Sequence, residues 1–110
     1  MELYWELGFQ TDSKVKILNI LEEITGVDRE NWEIDSPILE EYIVIRNVYT
    51  YMLLNHAKFK LINICHMLGL DSTPSVMESL NEIDEWKANP AKFQSQLELL
   101  NKTIELFDQQ

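Results

Sequence analysis

The sequence predicts an all-α protein, a bundle of about five to six helices. Three observations carry this reading. Apolar residues recur at three- and four-residue spacing along most of the chain. A capping residue followed by proline occurs at Ser36-Pro37, Thr73-Pro74 and Asn89-Pro90, and each pair suits a helix start. Only three Gly and three Pro in 110 residues leave little room for turns, so the elements must be few and long.

The first helix is predicted over "TDSKVKILNILEEITG". Asp12 or Ser13 can cap it by accepting a backbone N–H. Val15, Leu18, Leu21 and Ile24 form the inward stripe, widened by Ile17 and Ile20. Gly26 suits the left-handed residue after the last turn. "VDRENWEID" reads as a short helical turn or loop anchored by Trp32. Ser36-Pro37 opens a second helix that runs to about Leu54, with Glu40 and Glu41 at the positive end of its dipole. Its stripe is Leu39, Tyr42 or Ile43, Arg46 or Val48, Tyr49, Met52 and Leu53. "YIVIRNVY" has strand propensity too, but the periodic run is too long for a strand and holds no turn residue. "KFKLINICHMLG" is a short helix with Leu61, Ile64 and Leu68 inward. Thr73-Pro74 opens the next, carrying Val76, Leu80, Ile83 and Trp86. Asn89-Pro90 opens the last, with Phe93, Leu97, Leu100, Ile104 and Phe107 inward.

Charge bounds the function. The formal net charge is −10, which repels polyanions, so positively charged protein surfaces are better partners than nucleic acid or anionic membrane. No apolar stretch approaches ~18 residues, so no membrane span is expected. "MELYWELGF" lacks the basic start and long apolar run of a signal peptide. The single cysteine, Cys65, cannot form a disulfide within the chain, and a cytoplasmic, reducing setting is the simplest reading.

Residues 62–83, "INICHMLGLDSTPSVMESLNEI", have the layout of a helix-turn-helix, which spans about residues 60–87. Ile64 and Leu68 on one helix would meet Val76 and Leu80 on the next. An ordinary helical hairpin explains the same spacing equally well. From Asp71 to Glu85 there are five acids and no Lys or Arg. Ser75, Glu78, Ser79 and Glu82 fall on or near the exposed face of the second helix.

With "EEITGV", "VIRNVYTYML", "INICHMLG" and "LDSTPSV" in order, the chain resembles the C-terminal DNA-binding domain of the bacterial replication initiator DnaA, a Trp-repressor-like fold. The resemblance covers roughly Lys14 to Phe107. Residues 1–13 precede it as an aromatic arm, and residues 14–110 make the helical domain. The resemblance implies sequence-specific duplex binding and a place in DNA replication. The DNA-reading signature of that family, "RDH[ST]TV", is replaced here. Asp71 stands at its arginine, Ser72 at its aspartate, Thr73 at its histidine, and Pro74 and Ser75 at its hydroxyl residues; only the packing residue Val76 is kept. Of the basic residues at the entry to the family's long helix, only Arg46 survives.

Two functions follow, neither of them catalytic. The first is duplex binding through Arg46, Lys58, Lys60, Thr73 and Ser75. The second is a diverged copy that binds a basic protein surface through Asp71, Glu78, Glu82 and Glu85, in replication or transcription, as an acidic mimic of DNA. Phosphate neutralisation by Lys and Arg supplies most DNA affinity, which weighs against the first. Arg46 could touch phosphate, or pair with Glu41 or Asp35 while burying its stem. Lys58, Lys60 and Lys92 make a weak patch or plain surface charge. Cys65-His66 and His56 lack the spacing of a zinc site, so Cys65 reads as a core or boundary residue, and no metal, cofactor or small-molecule substrate is expected. No phosphate loop or nucleophile–base pair is recognisable. Tyr4, Trp5 and Phe9 of the arm could anchor a partner or fold back over the bundle.

Overall fold

The computed structural model describes residues 2–34, 37, 39–68 and 73–109, with the backbone alone for 2–8 and 73–75. Five α-helices follow in order: α1 Glu2–Thr25, α2 Glu40–Asn55, α3 Leu61–Leu68, α4 Thr73–Ala88 and α5 Gln94–Gln109, with a 3-10 turn at Arg29–Asn31. No strand occurs among the described residues. α2 lies at the centre, against α1, α3, α4 and α5; α1 also packs on α5, and α4 on both α3 and α5.

α1 is longer than the sequence reading placed it. It begins at Glu2, so Asp12 and Ser13 lie inside the helix and cap nothing. Residues 2–13 therefore form the first half of α1. The physical reason is that a cap-like residue stops a helix only if the chain before it cannot continue, and no proline precedes Ser13. Ser13 instead joins the buried face of α1 with Ile17, Leu18, Ile20 and Leu21. Val15 is exposed, contrary to expectation: two positions from Ile17 it is turned about 200° round the helix. Phe9 is 44% exposed, while the side chains of Tyr4 and Trp5 lie outside the described residues. Farther along, the Gln10 side-chain amide donates to the Lys58 carbonyl at 2.9 Å and ties α1 to the end of α2.

The link from α1 to α2 is held by a small polar network. Gly26 takes the left-handed φ of +69° expected after a last turn, and its N–H donates to the Glu22 carbonyl. The Glu22 carboxylate accepts from both the backbone N–H and the guanidinium of Arg29. Those hydrogen bonds hold the Glu22 carboxyl below its ordinary value. Trp32 is fully buried, and its indole N–H donates to the Val27 carbonyl at 3.1 Å. Tyr49 of α2 meets the Trp32 ring edge-on and donates its hydroxyl to Glu33 at 2.7 Å. Burial, then the contact with Glu33, keeps the Tyr49 phenol protonated well above its ordinary range.

α2 starts at Glu40, later than Ser36-Pro37 suggested. Leu39 is the N-cap and makes no side-chain cap bond; its carbonyl accepts from Tyr42 and Ile43. Ser36 lies outside the described residues. The buried face is Ile45, Val48, Tyr49, Met52 and Leu53. Leu39 and Ile43 are exposed, because that stripe, continued backwards, passes over the other side of the helix. Buried Thr50 is satisfied by donating to the Arg46 carbonyl at 2.8 Å.

The helix ends in a tight reversal: Ala57 N–H donates to the Met52 carbonyl, Phe59 N–H to the Leu53 carbonyl, and Lys58 sits at φ 63°. α3 buries Ile64 and Leu68, and α4 buries Val76, Ile83 and Trp86, as the periodicity predicted; Leu61 is half-buried, and Cys65 is buried as well. α5 begins at Gln94, after a turn in which the Asn89 carbonyl accepts from Lys92 and Phe93.

His56 closes the far end of α2. Its ring meets Phe107 edge-on at 5.7 Å, and Nδ1 lies 4.0 Å from the Asp108 carboxylate. Burial holds the imidazole below its ordinary value, opposed by Asp108 and reinforced by Lys58. A histidine depressed in the fold takes up its proton more readily when unfolded. Its contribution to stability is therefore full above the unfolded value of 6.5 and is lost as pH falls towards the lower folded value. Thermal melts at about pH 7.5 and 5.5 should show a smaller acid-induced drop in Tm for His56→Gln than for the native chain; an unchanged drop would remove His56 from the account.

Candidate interaction surface

Of the residues expected to grip DNA, three can be placed with their side chains: Arg46, Lys58 and Lys60. Arg46 lies mid-way along α2, where its Nε is buried. Lys58 and Lys60 lie exposed in the link from α2 to α3, twelve and fourteen positions on. At 1.5 Å per residue, Arg46 stands about 14 Å from Asn55, the last residue of α2, and Lys58 lies in the reversal beyond it. Lys58 is also occupied locally, its ammonium donating to the Asn55 carbonyl at 2.8 Å. The Lys60 carbonyl receives the Ile64 N–H at the start of α3. Thr73 and Ser75 fall in the first turn of α4, and their side chains lie outside the described residues, as do residues 69–72, Asp71 among them.

What the fold does assemble is an acidic groove. α2 and α4 pack against each other and leave a cavity of about 510 Å³, which Phe93 and Gln96 also line. Glu40 and Arg46 line it from α2, and Glu78 and Glu82 from α4. Glu78 and Glu82 are four positions apart, so the helix repeat stacks them on one face. Both are exposed, and neither forms an ion pair among the described residues. Glu85 is exposed on α4 but does not line the groove; its carbonyl receives the Asn89 side chain at 3.3 Å. Lys87, at the end of α4, lies 4.7 Å from the centre of the Tyr51 ring and donates to its hydroxyl, pinning α4 to α2.

The floor of the groove escaped the sequence reading. Ser79, expected on or near the exposed face, is 5% exposed, and Asn47 of α2 is 4% exposed; both line the cavity. Ser79 was legible in principle. It lies three positions after Val76 and four before Ile83, inside the apolar stripe, where a small polar residue signals a gap or a polar contact. Asn47 carried no such signal, since the face of α2 that meets α4 is known only from the packing. Comparison with protein-family models, with curated proteins and with solved structures finds no match for this chain.

Proposed function

We propose that this is a non-catalytic binding domain that engages a basic protein surface through the acidic side of α4, in place of duplex DNA. The observation that carries the reading is the shared groove: Arg46, the one basic residue kept from the DnaA-like pattern, lies among Glu40, Glu78 and Glu82. A phosphate approaching Arg46 would pass between carboxylates, which costs affinity instead of supplying it. A basic partner finds the reverse, since complementary charge raises the encounter rate and fixes register. The net charge of −10 extends the same preference over the whole surface. On this reading the chain is a diverged relative of the DnaA-type helix-turn-helix, in which α3 and α4 keep the packing residues of the pair and α4 has exchanged its ligand. Such a domain would act in the cytoplasm on a replication or transcription protein.

Fluorescence anisotropy with a mixed-sequence duplex tests this. No binding is expected at about 50 mM salt, the low end of the range over which phosphate contacts weaken. Saturable binding there, falling linearly in log K against log salt, would overturn the proposal and restore Arg46, Lys58, Lys60, Thr73 and Ser75 as DNA contacts.

A further inference from the structure

Charge alone does not describe the α2–α4 groove, because its floor is polar and its polar groups are not used by the fold. Asn47 and Ser79 are both more than nine-tenths buried and line the cavity. Neither side chain makes a hydrogen bond among the described residues. Neither is among the buried polar atoms sealed away from solvent, so the groove itself is what reaches them. Reached through the groove, the amide and hydroxyl are open to hydrogen bonding there by water or by a bound group. Trp86, 2% exposed, lies beside them.

We infer that the groove receives an arginine side chain from a basic protein segment, with the guanidinium between the Asn47 and Ser79 oxygens on the floor and the Glu78 and Glu82 carboxylates on the rim. This rests on the protein-binding reading and names the chemistry of its partner. The floor offers neutral acceptors, and the rim offers ionised ones on the α4 side. A guanidinium carries five donors in a rigid plane and satisfies several acceptors at once, whereas an ammonium is a compact, strongly hydrated point charge. The cavity of about 510 Å³ falls within the range of small-ligand sites and admits a long side chain. Arg46 lines the α2 side, so the incoming guanidinium sits towards α4, nearer Glu78 and Glu82. An anion is disfavoured, with Glu40, Glu78 and Glu82 set against a single arginine.

The test uses the full chain, labelled with nitrogen-15, titrated with nona-arginine and separately with nona-lysine at low salt. Trp86→Phe identifies the Trp86 indole signal. The expected result is that nona-arginine shifts the Asn47 side-chain amide and the Trp86 indole, and binds at least tenfold more tightly than nona-lysine. Glu78→Gln with Glu82→Gln, both exposed and therefore harmless to folding, should weaken nona-arginine at least tenfold. Ser79→Ala, checked for folding by its melting curve, should narrow the preference for arginine over lysine. Equal affinity for the two peptides overturns the inference. So do shifts spread over Glu98 and Glu105 of α5 with none at Asn47 or Trp86, though in that case binding to basic proteins would stand and only the groove would fall. Duplex binding in the anisotropy experiment would instead remove the functional reading beneath it.

Discussion

Trp32→Ala should cost about 3–5 kcal/mol of stability and leave much of the chain unfolded at room temperature. The side chain is fully buried and anchors the link between α1 and α2 to the core. Removing the ring deletes the edge contact with Tyr49 at 5.4 Å and the donor to the Val27 carbonyl. It also loosens the Tyr49–Glu33 hydrogen bond, whose geometry the ring supports. A small domain has roughly 5–15 kcal/mol in total, so one such loss is a large fraction. Trp32→Phe separates the two contributions: it keeps most of the apolar area but not the indole N–H, and should cost about 1–3 kcal/mol for the Val27 carbonyl left without that donor. Urea denaturation followed by circular dichroism measures both. A loss below about 1 kcal/mol for the alanine variant would mean that the link packs elsewhere.

The second large effect is on binding. Glu78→Lys combined with Glu82→Lys should weaken a complex with a basic partner at least a hundredfold. Each change replaces an attraction by a repulsion, and like charges set together across an interface cost several kcal/mol, where 1.4 kcal/mol is tenfold. Lysine is nearly as good a helix former as glutamate, and both positions are exposed, so α4 should persist. The melting temperature should therefore stay close to that of the native chain while affinity collapses, as isothermal titration against nona-arginine would measure. Retained affinity would show that the acidic face of α4 is only solvated surface. The same variant carries positive charge where a groove-reading helix needs it, and weak, salt-sensitive duplex binding should appear.

Helices with one strongly apolar side were read correctly from their spacing. Ile64 and Leu68 of α3, and Val76, Ile83 and Trp86 of α4, are buried where the pattern put them. Helix starts were read less well. Ser13 carries cap chemistry yet caps nothing, because the chain before it continues as helix, and α2 begins at Glu40 with Leu39 as its N-cap. A cap is a local preference worth about 1 kcal/mol, and packing outweighs it. Val15 and Leu39 are exposed against expectation, and of the alternatives Tyr42 and Ile43 it is Tyr42 that packs on the core; there apolar residues surround the helix and the sequence offers more than one stripe.

The acidic character of the protein, the absence of Lys and Arg from Asp71 to Glu85, and the helical architecture were all determined by the sequence alone, because charge and helical period are properties of residue order. Which residues share a surface was decided only by tertiary structure. Arg46 and Glu78 are thirty-two positions apart, and only the packing of α2 on α4 sets them in one groove over Asn47 and Ser79. Periodicity shows that a helix has an inner face; it does not show which neighbour that face meets, and the site lies at that meeting.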